Sequence, residues 1–153
     1  MEQVSDIVRK FFEDYERSIN ASNLEEGSEE GPELIASRYS DPFMFAGPQG
    51  AQAVKKEDFL KALPKRQWFF KTVGLTSSTI QSLEETRLDD NYVMVKAYWN
   101  MRFEKEAEQP IVAEISATYI LRQEESSLRI VFQVDHQDLM KTAQDLGLLP
   151  AKD

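Results

Sequence analysis

Three consecutive stretches of apolar alternation constrain this chain more than anything else in it. In the first, Val93, Val95, Ala97, Trp99, Met101 and Phe103 fall on one parity, while Tyr92, Lys96, Tyr98, Asn100, Arg102 and Glu104 fall on the other. Ile111, Ala113, Ile115, Ala117, Tyr119 and Leu121 repeat the pattern, and Leu128, Ile130, Phe132 and Val134 carry it a third time. Successive side chains on a strand point to opposite faces, so a period of two predicts strands with one buried face. The links Glu106-Ala107-Glu108-Gln109-Pro110 and Glu124-Glu125-Ser126-Ser127 are short and polar, which predicts an antiparallel meander. A weaker strand over Leu75 to Glu85 precedes it, joined by an Asp89-Asp90-Asn91 turn.

The first half reads differently. Val4, Ile7, Val8, Phe11, Phe12, Tyr15 and Ile19 keep one stripe at a period of 3.6 and predict an amphipathic helix. Asn20 to Pro32 is polar, acidic and glycine-containing, and is expected to be a loop. Pro32 then opens a short helix through Tyr39, with Leu34, Ile35 and Tyr39 as its inner face. The aromatic run Asp41-Pro42-Phe43-Met44-Phe45-Ala46 is a short strand closed by Gly47-Pro48. A further helix over Lys56 to Phe70 is expected to end or bend near Leu63, because Pro64 removes a backbone donor. A last helix begins at Asp135 or His136, with Leu139, Ala143 and Leu146 on one face, and stops at Gly147 and Pro150. Helices and one strand first, then a long antiparallel sheet, predict a single α+β domain over residues 1–153 with helices on one sheet face.

Composition excludes several functions. Acidic residues number 27 against 18 basic ones, and the net charge of -9 repels phosphate backbones and anionic bilayers. Neither nucleic acid nor membrane is an expected partner. Residues 1–10 hold no apolar run like a signal peptide, and the chain has no cysteine, which fits a reducing, cytoplasmic setting. One histidine and no thiolate argue against zinc, and Glu25-Glu26, Glu29-Glu30 and Asp89-Asp90 lack calcium-loop spacing. No phosphate-binding glycine loop or serine elbow occurs, so no cofactor and no metal are expected.

With this order laid out, the chain resembles the nuclear-transport-factor-2-like superfamily, more narrowly its SnoaL-like and ketosteroid-isomerase-like members. The resemblance spans nearly the whole chain. It rests on the first helix ending near Asn23, on Ala36 to Gly50 with Arg38-Tyr39-Ser40-Asp41, Phe45 and Gly47-Pro48, and on the strand Leu128 to His136. It implies a curved antiparallel sheet wrapped around N-terminal helices, a cone-shaped, cystatin-like α+β barrel with an apolar pocket. Such folds host isomerases, cyclases, dehydratases and pure binding or dimerisation domains, so fold does not assign chemistry. Carried over singly, the isomerases' oxyanion-donating tyrosine falls on Tyr15. Their general-base aspartate falls on Gly47, which has no proton acceptor in its side chain, and their second acid falls close to Thr118.

Two catalytic candidates follow. His136 shares parity with Leu128 to Val134 and is the residue type best suited to acid/base work; Tyr15 lies on the inward stripe as a hydrogen-bond donor. Asp135-His136-Gln137-Asp138 reads equally as a strand end passing into a capped helix N-terminus. Phe43, Phe45, Trp68, Trp99 and Tyr119 are candidate ligand contacts, or simply a filled core. Tyr98, Asn100, Arg102, Val112 and Ile120 share the outer sheet face, a mixed surface suited to a homodimer. The leading expectation is a domain that binds a small apolar or aromatic ligand, with no established reaction. The alternatives are an isomerase, cyclase or dehydratase using His136 and Tyr15, and a dimerisation module.

Overall fold

A computed structural model describes residues 4–24, 30–105 and 109–148. Helix α1 (Asp6–Leu24) buries Val8, Phe11, Phe12 and Tyr15, the stripe its periodicity requires. It runs five residues into the stretch expected to be a loop, because Asn20 is held by the sheet: its side chain donates to the Ser78 carbonyl and accepts from the Ser78 N–H, both at 2.9 Å. Helix α2 (Glu30–Ser37) buries Ile35 and Ala36 and leaves Leu34 exposed. Tyr39, expected on that helix, instead opens strand β1 (Tyr39–Gly47).

A turn joins β1 to β2 (Gly50–Val54), a strand the sequence reading did not anticipate. Helix α3 (Lys56–Val73) runs through Pro64 without ending. One missing backbone donor costs on the order of 3 kcal/mol, and burial of Leu63 on one side and of Phe70 and Val73 on the other outweighs it. Strands β3 (Leu75–Arg87), β4 (Tyr92–Phe103), β5 (Ile111–Glu124) and β6 (Ser127–Asp135) follow. The turn before β4 is tied by Asp89, whose carboxylate accepts from the N–H groups of Asn91 and Tyr92. Helix α4 (Leu139–Asp145) starts three or four residues later than the expected Asp135 or His136, with Asp138 accepting from the Lys141 N–H as its cap. It ends in a Schellman motif in which the Leu148 N–H bonds the Ala143 carbonyl, so Leu148 and not Leu146 is buried.

The six strands lie in the order β2-β1-β6-β5-β4-β3. All pairs are antiparallel except β1 with β6, so the sheet is mixed, where the sequence pattern pointed to an antiparallel one. The β4–β5 register is unbroken from Tyr92↔Arg122 to Phe103↔Ile111, and every expected inward residue of β4 is buried. Strand β6 departs from its expected parity. Ile130 lies opposite Leu121 and Phe132 opposite Ile120, so Val131 is an extra residue. Beyond this bulge Gln133 and Asp135 turn to the helix side, and Phe132, Val134 and His136 turn to the outer face.

The edge of β3 is covered by α1. Glu16 accepts from the Ile80 N–H, and Glu85 accepts from the backbone and hydroxyl of Ser5 at the start of α1. The Glu16 bond satisfies a strand N–H that would otherwise be open to another chain, and the Glu85 bonds tie the start of α1 to the strand. Among the described residues, no helix is long and apolar enough to cross a membrane.

Candidate functional site

Helices α1, α2 and α3 do not close completely onto the β1–β2 end of the sheet. A cavity of about 390 Å³ remains, within the size range of ligand pockets. Its apolar walls come from Phe43 and Phe45 of β1, Ile35 of α2, Ile19 of α1, and Phe59, Ala62 and Leu63 of α3. The rings of Tyr39, Phe43 and Phe59 lie 4.4 to 5.5 Å apart and form one side of it. Polar groups enter at Tyr15, Tyr39, Gln133, Gln52, Asp58 and Arg66.

A smaller annex of about 40 Å³ shares Tyr15, Ile19, Arg66 and Gln133 with the cavity and is also lined by Trp99, Tyr119 and Asp135. On the solvent side, Arg66 and Phe45 also border an open depression between the β1–β2 turn and the start of α4, where Asp135, Gln137 and Asp138 are exposed to it. Arg66 reaches all three spaces, its guanidinium 5.0 Å from the centre of the Phe70 ring.

The polar groups form a connected run. The hydroxyls of Tyr15 and Tyr39 lie 2.7 Å apart; Tyr39 donates to Gln133 Oε1; Gln133 Nε2 donates to Asp135 Oδ1 at 2.8 Å. Three elements supply it: the buried stripe of α1, the first residue of β1, and the two positions of β6 that the bulge turns inward. Burial holds the phenols of Tyr15, Tyr39 and Tyr119 above the ordinary tyrosine value, so all three are neutral in water. Burial also raises Asp135 above the ordinary carboxylate value; the Gln133 bond, Arg66 and His136 act against it.

The residues singled out from the sequence are distributed unevenly. Tyr15, Phe43 and Phe45 line the main cavity, and Trp99 and Tyr119 line the annex. Trp68 is 69 % exposed on the solvent side of α3 and borders none of these spaces. His136 is exposed on the outer sheet face, its Nε2 2.7 Å from the Thr118 hydroxyl, because the bulge at Val131 reverses the parity that aimed it inward. The sequence reading does not place Tyr39, Phe59, Arg66 or Gln133 at the cavity, nor Asp135 at its annex. The sequence pattern sets Tyr39 at the end of a helix and Asp135 where a strand passes into a capped helix N-terminus. The one available signal was the unbroken apolar run Ile130-Val131-Phe132, which no regular alternation produces. Among the described residues, no three His, Cys, Asp or Glu side chains converge as a metal site.

Comparison with known proteins agrees with the architecture. Among the curated proteins none matches the chain. An NTF-2 like protein of unknown function from Shewanella oneidensis MR-1 superposes with a TM-score of 0.63 at 15% identity, over 86% of this chain and 98% of that one. An NTF2-like protein with a cystatin-like fold from Novosphingobium aromaticivorans gives 0.67 at 9% identity, over 95% and 88%. A ketosteroid isomerase-like protein from Erwinia carotovora atroseptica gives 0.58 at 14% identity, over 85% and 92%. At such identities the likeness concerns the fold alone. Residues 2–138 match the family described as NTF2-like protein (DUF6841), and the chain therefore belongs to that NTF2-like family.

Proposed function

We propose that this domain binds a small, mainly apolar ring compound in the cavity between α1, α3 and β1. The observation that carries the reading is the cavity itself: about 390 Å³ walled mainly by aromatic and aliphatic side chains, with polar groups from Tyr15, Tyr39, Gln52, Asp58, Arg66 and Gln133 among them. Phe43 and Phe45 contribute its apolar contacts and Tyr15 one of its polar ones, while Trp99 and Tyr119 support the wall from the annex. No reaction is part of the proposal. His136 is 2.7 Å from Thr118 on the opposite sheet face, too remote in orientation to serve a cavity-bound molecule as acid or base. The absence of cysteine supports a cytoplasmic setting.

The test is calorimetric titration of the chain with tetralin, a two-ring hydrocarbon, against the Ala62→Trp variant. Ala62 lines the cavity from an exposed position on α3, so a large ring there fills the space without repacking the core. Saturable binding by the natural chain and its loss in the variant support the proposal; equal behaviour of the two chains refutes it.

A second reading has its own observation. Met44, Val112, Ile120, Phe132 and Val134 bring apolar area to the outer sheet face, more than the alternation pattern required there. This supports a homodimer joined through that face. Light scattering should then give twice the chain mass, and Phe132→Glu should return it to the single-chain mass.

A further inference from the structure

We infer that the cavity selects a ring compound bearing a hydroxyl over the matching ketone, because the hydrogen-bonded run from Tyr15 to Asp135 has every proton ordered away from the cavity. The inference rests on the ligand-binding reading above and specifies the chemistry of the ligand.

The order follows from what each group is able to do. An ionised carboxylate only accepts, so Gln133 must present its amide nitrogen to Asp135 and turn its oxygen toward Tyr39. That oxygen also only accepts, so Tyr39 must spend its one proton on Gln133. The Tyr39 oxygen is then an acceptor for its 2.7 Å neighbour, and Tyr15 must spend its own proton there.

What the two cavity-lining phenols retain is lone pairs. A ligand hydroxyl can donate to them. A carbonyl oxygen seated against them would face lone pairs with its own, and a buried acceptor without a donor is costly; the donors Arg66 and Gln52 also line the cavity, but from α3 and β2 and not beside the two phenols' run. This reverses the role implied for Tyr15 by the resemblance to isomerases, where the tyrosine donates to an oxyanion.

The order depends on Asp135 being ionised. The groups facing it are Arg66 from α3, Tyr119 from β5, Tyr39 from β1, Asp138 at the start of α4, and its neighbour His136. Arg66 and His136 favour the carboxylate, while burial opposes it. Once protonated, Asp135 can donate to an inverted Gln133 amide, and the whole run can reverse and release the Tyr15 proton into the cavity. The preference for a hydroxyl therefore weakens in acid.

The test is calorimetric binding of α-tetralol, α-tetralone and tetralin, which share one ring system, to the full chain. At neutral pH the alcohol should bind about tenfold or more tighter than the ketone. The ratio should shrink in mild acid and in Tyr39→Phe, which frees the Tyr15 proton. Gln133→Leu, which frees the Tyr39 proton, should shrink it as well, and serves if the first variant does not fold. Equal or tighter ketone binding alongside tetralin binding overturns the proton order and leaves the cavity reading standing. Failure of all three to bind overturns the cavity reading, and this inference with it.

Discussion

Gln133 donates to Asp135 across 2.8 Å on the helix side of β6, a bond that exists because the extra residue Val131 turns both side chains inward. Gln133 is buried, and its amide also accepts from Tyr39, so it satisfies two groups that water reaches poorly. Gln133→Ala should therefore lower stability by about 2 to 6 kcal/mol, the sum of two unsatisfied polar groups at about 1 to 3 kcal/mol each. Urea unfolding with an unchanged slope is the measurement. A loss below about 0.5 kcal/mol would mean the run contributes nothing to folding.

The two tyrosines at the head of the run should not be equivalent. Tyr15→Phe removes a donor and leaves only a lone pair of Tyr39 unfilled. Tyr39→Phe orphans both the Tyr15 proton and the Gln133 oxygen. The expected cost is about 1 kcal/mol for the first and about 2 kcal/mol or more for the second, and the double variant should cost less than the sum. A double-mutant cycle by denaturant unfolding reads this directly; additive losses would show that the hydroxyls are not coupled.

The same bulge marks where the sequence stopped being legible. Strands β4 and β5 were readable because one face is apolar at nearly every second residue and the other is mostly polar. In β6 the outer face is apolar too, so Ile130, Val131, Phe132 and Val134 populate both sides, and alternation alone could not locate the change of phase. Alternation therefore aims His136 at the cavity, whereas it is Asp135 that turns to the helix side and lines the annex. Pro64 misled in another way: it is a local stop signal, and burial of Leu63, Phe70 and Val73 overrode it from a distance. Trp68, Phe69 and Phe70 form one aromatic run, yet only Phe70 is fully buried, because a helix presents consecutive residues to different directions.

Asp135 gives stability a pH dependence whose sign is fixed. Its folded value is raised above 3.8, so the fold holds the proton more tightly than the unfolded chain does. Stability from this group is highest in acid and is lost as pH rises from the ordinary carboxylate value through the raised one. Asp135→Asn keeps the shape and cannot ionise. The difference between variant and natural chain should thus move in favour of the variant from acid to neutral pH. Unfolding midpoints measured across that range test it; a difference that is flat, or that moves the other way, contradicts the assignment.

The two tryptophans should report opposite environments. Trp99 is 5 % exposed and rests against Tyr15 with ring centres 6.0 Å apart, whereas Trp68 stands in solvent. In Trp68→Phe the remaining emission should be blue-shifted and resistant to iodide, and in Trp99→Phe it should be red-shifted and readily quenched. Trp68→Ser should change stability by less than about 0.5 kcal/mol, while Trp99→Ala should cost about 3 to 5 kcal/mol. Equal quenching of the two single-tryptophan chains would contradict the packing of β4 against α1.

Gly74 fixes how α3, and with it Phe59 and Arg66 of the cavity wall, leaves for β3. Its φ is +82°, and a Cβ there would lie 2.7 Å from the carbonyl oxygen of Glu104, whose N–H bonds the Gly74 carbonyl at 2.8 Å. Alanine must meet both the left-handed backbone strain, about 1 to 2 kcal/mol, and displacement of a backbone contact. Gly147 has a similar φ of +73° with nothing within 4 Å of its Cβ position, so alanine there meets the strain alone. Gly74→Ala should consequently cost at least about 1 kcal/mol more than Gly147→Ala in thermal or urea unfolding. Because it displaces the end of the helix that carries Arg66, it should also weaken tetralin binding, whereas Gly147→Ala should not; equal effects of the two substitutions would remove Gly74 from the architecture of the cavity.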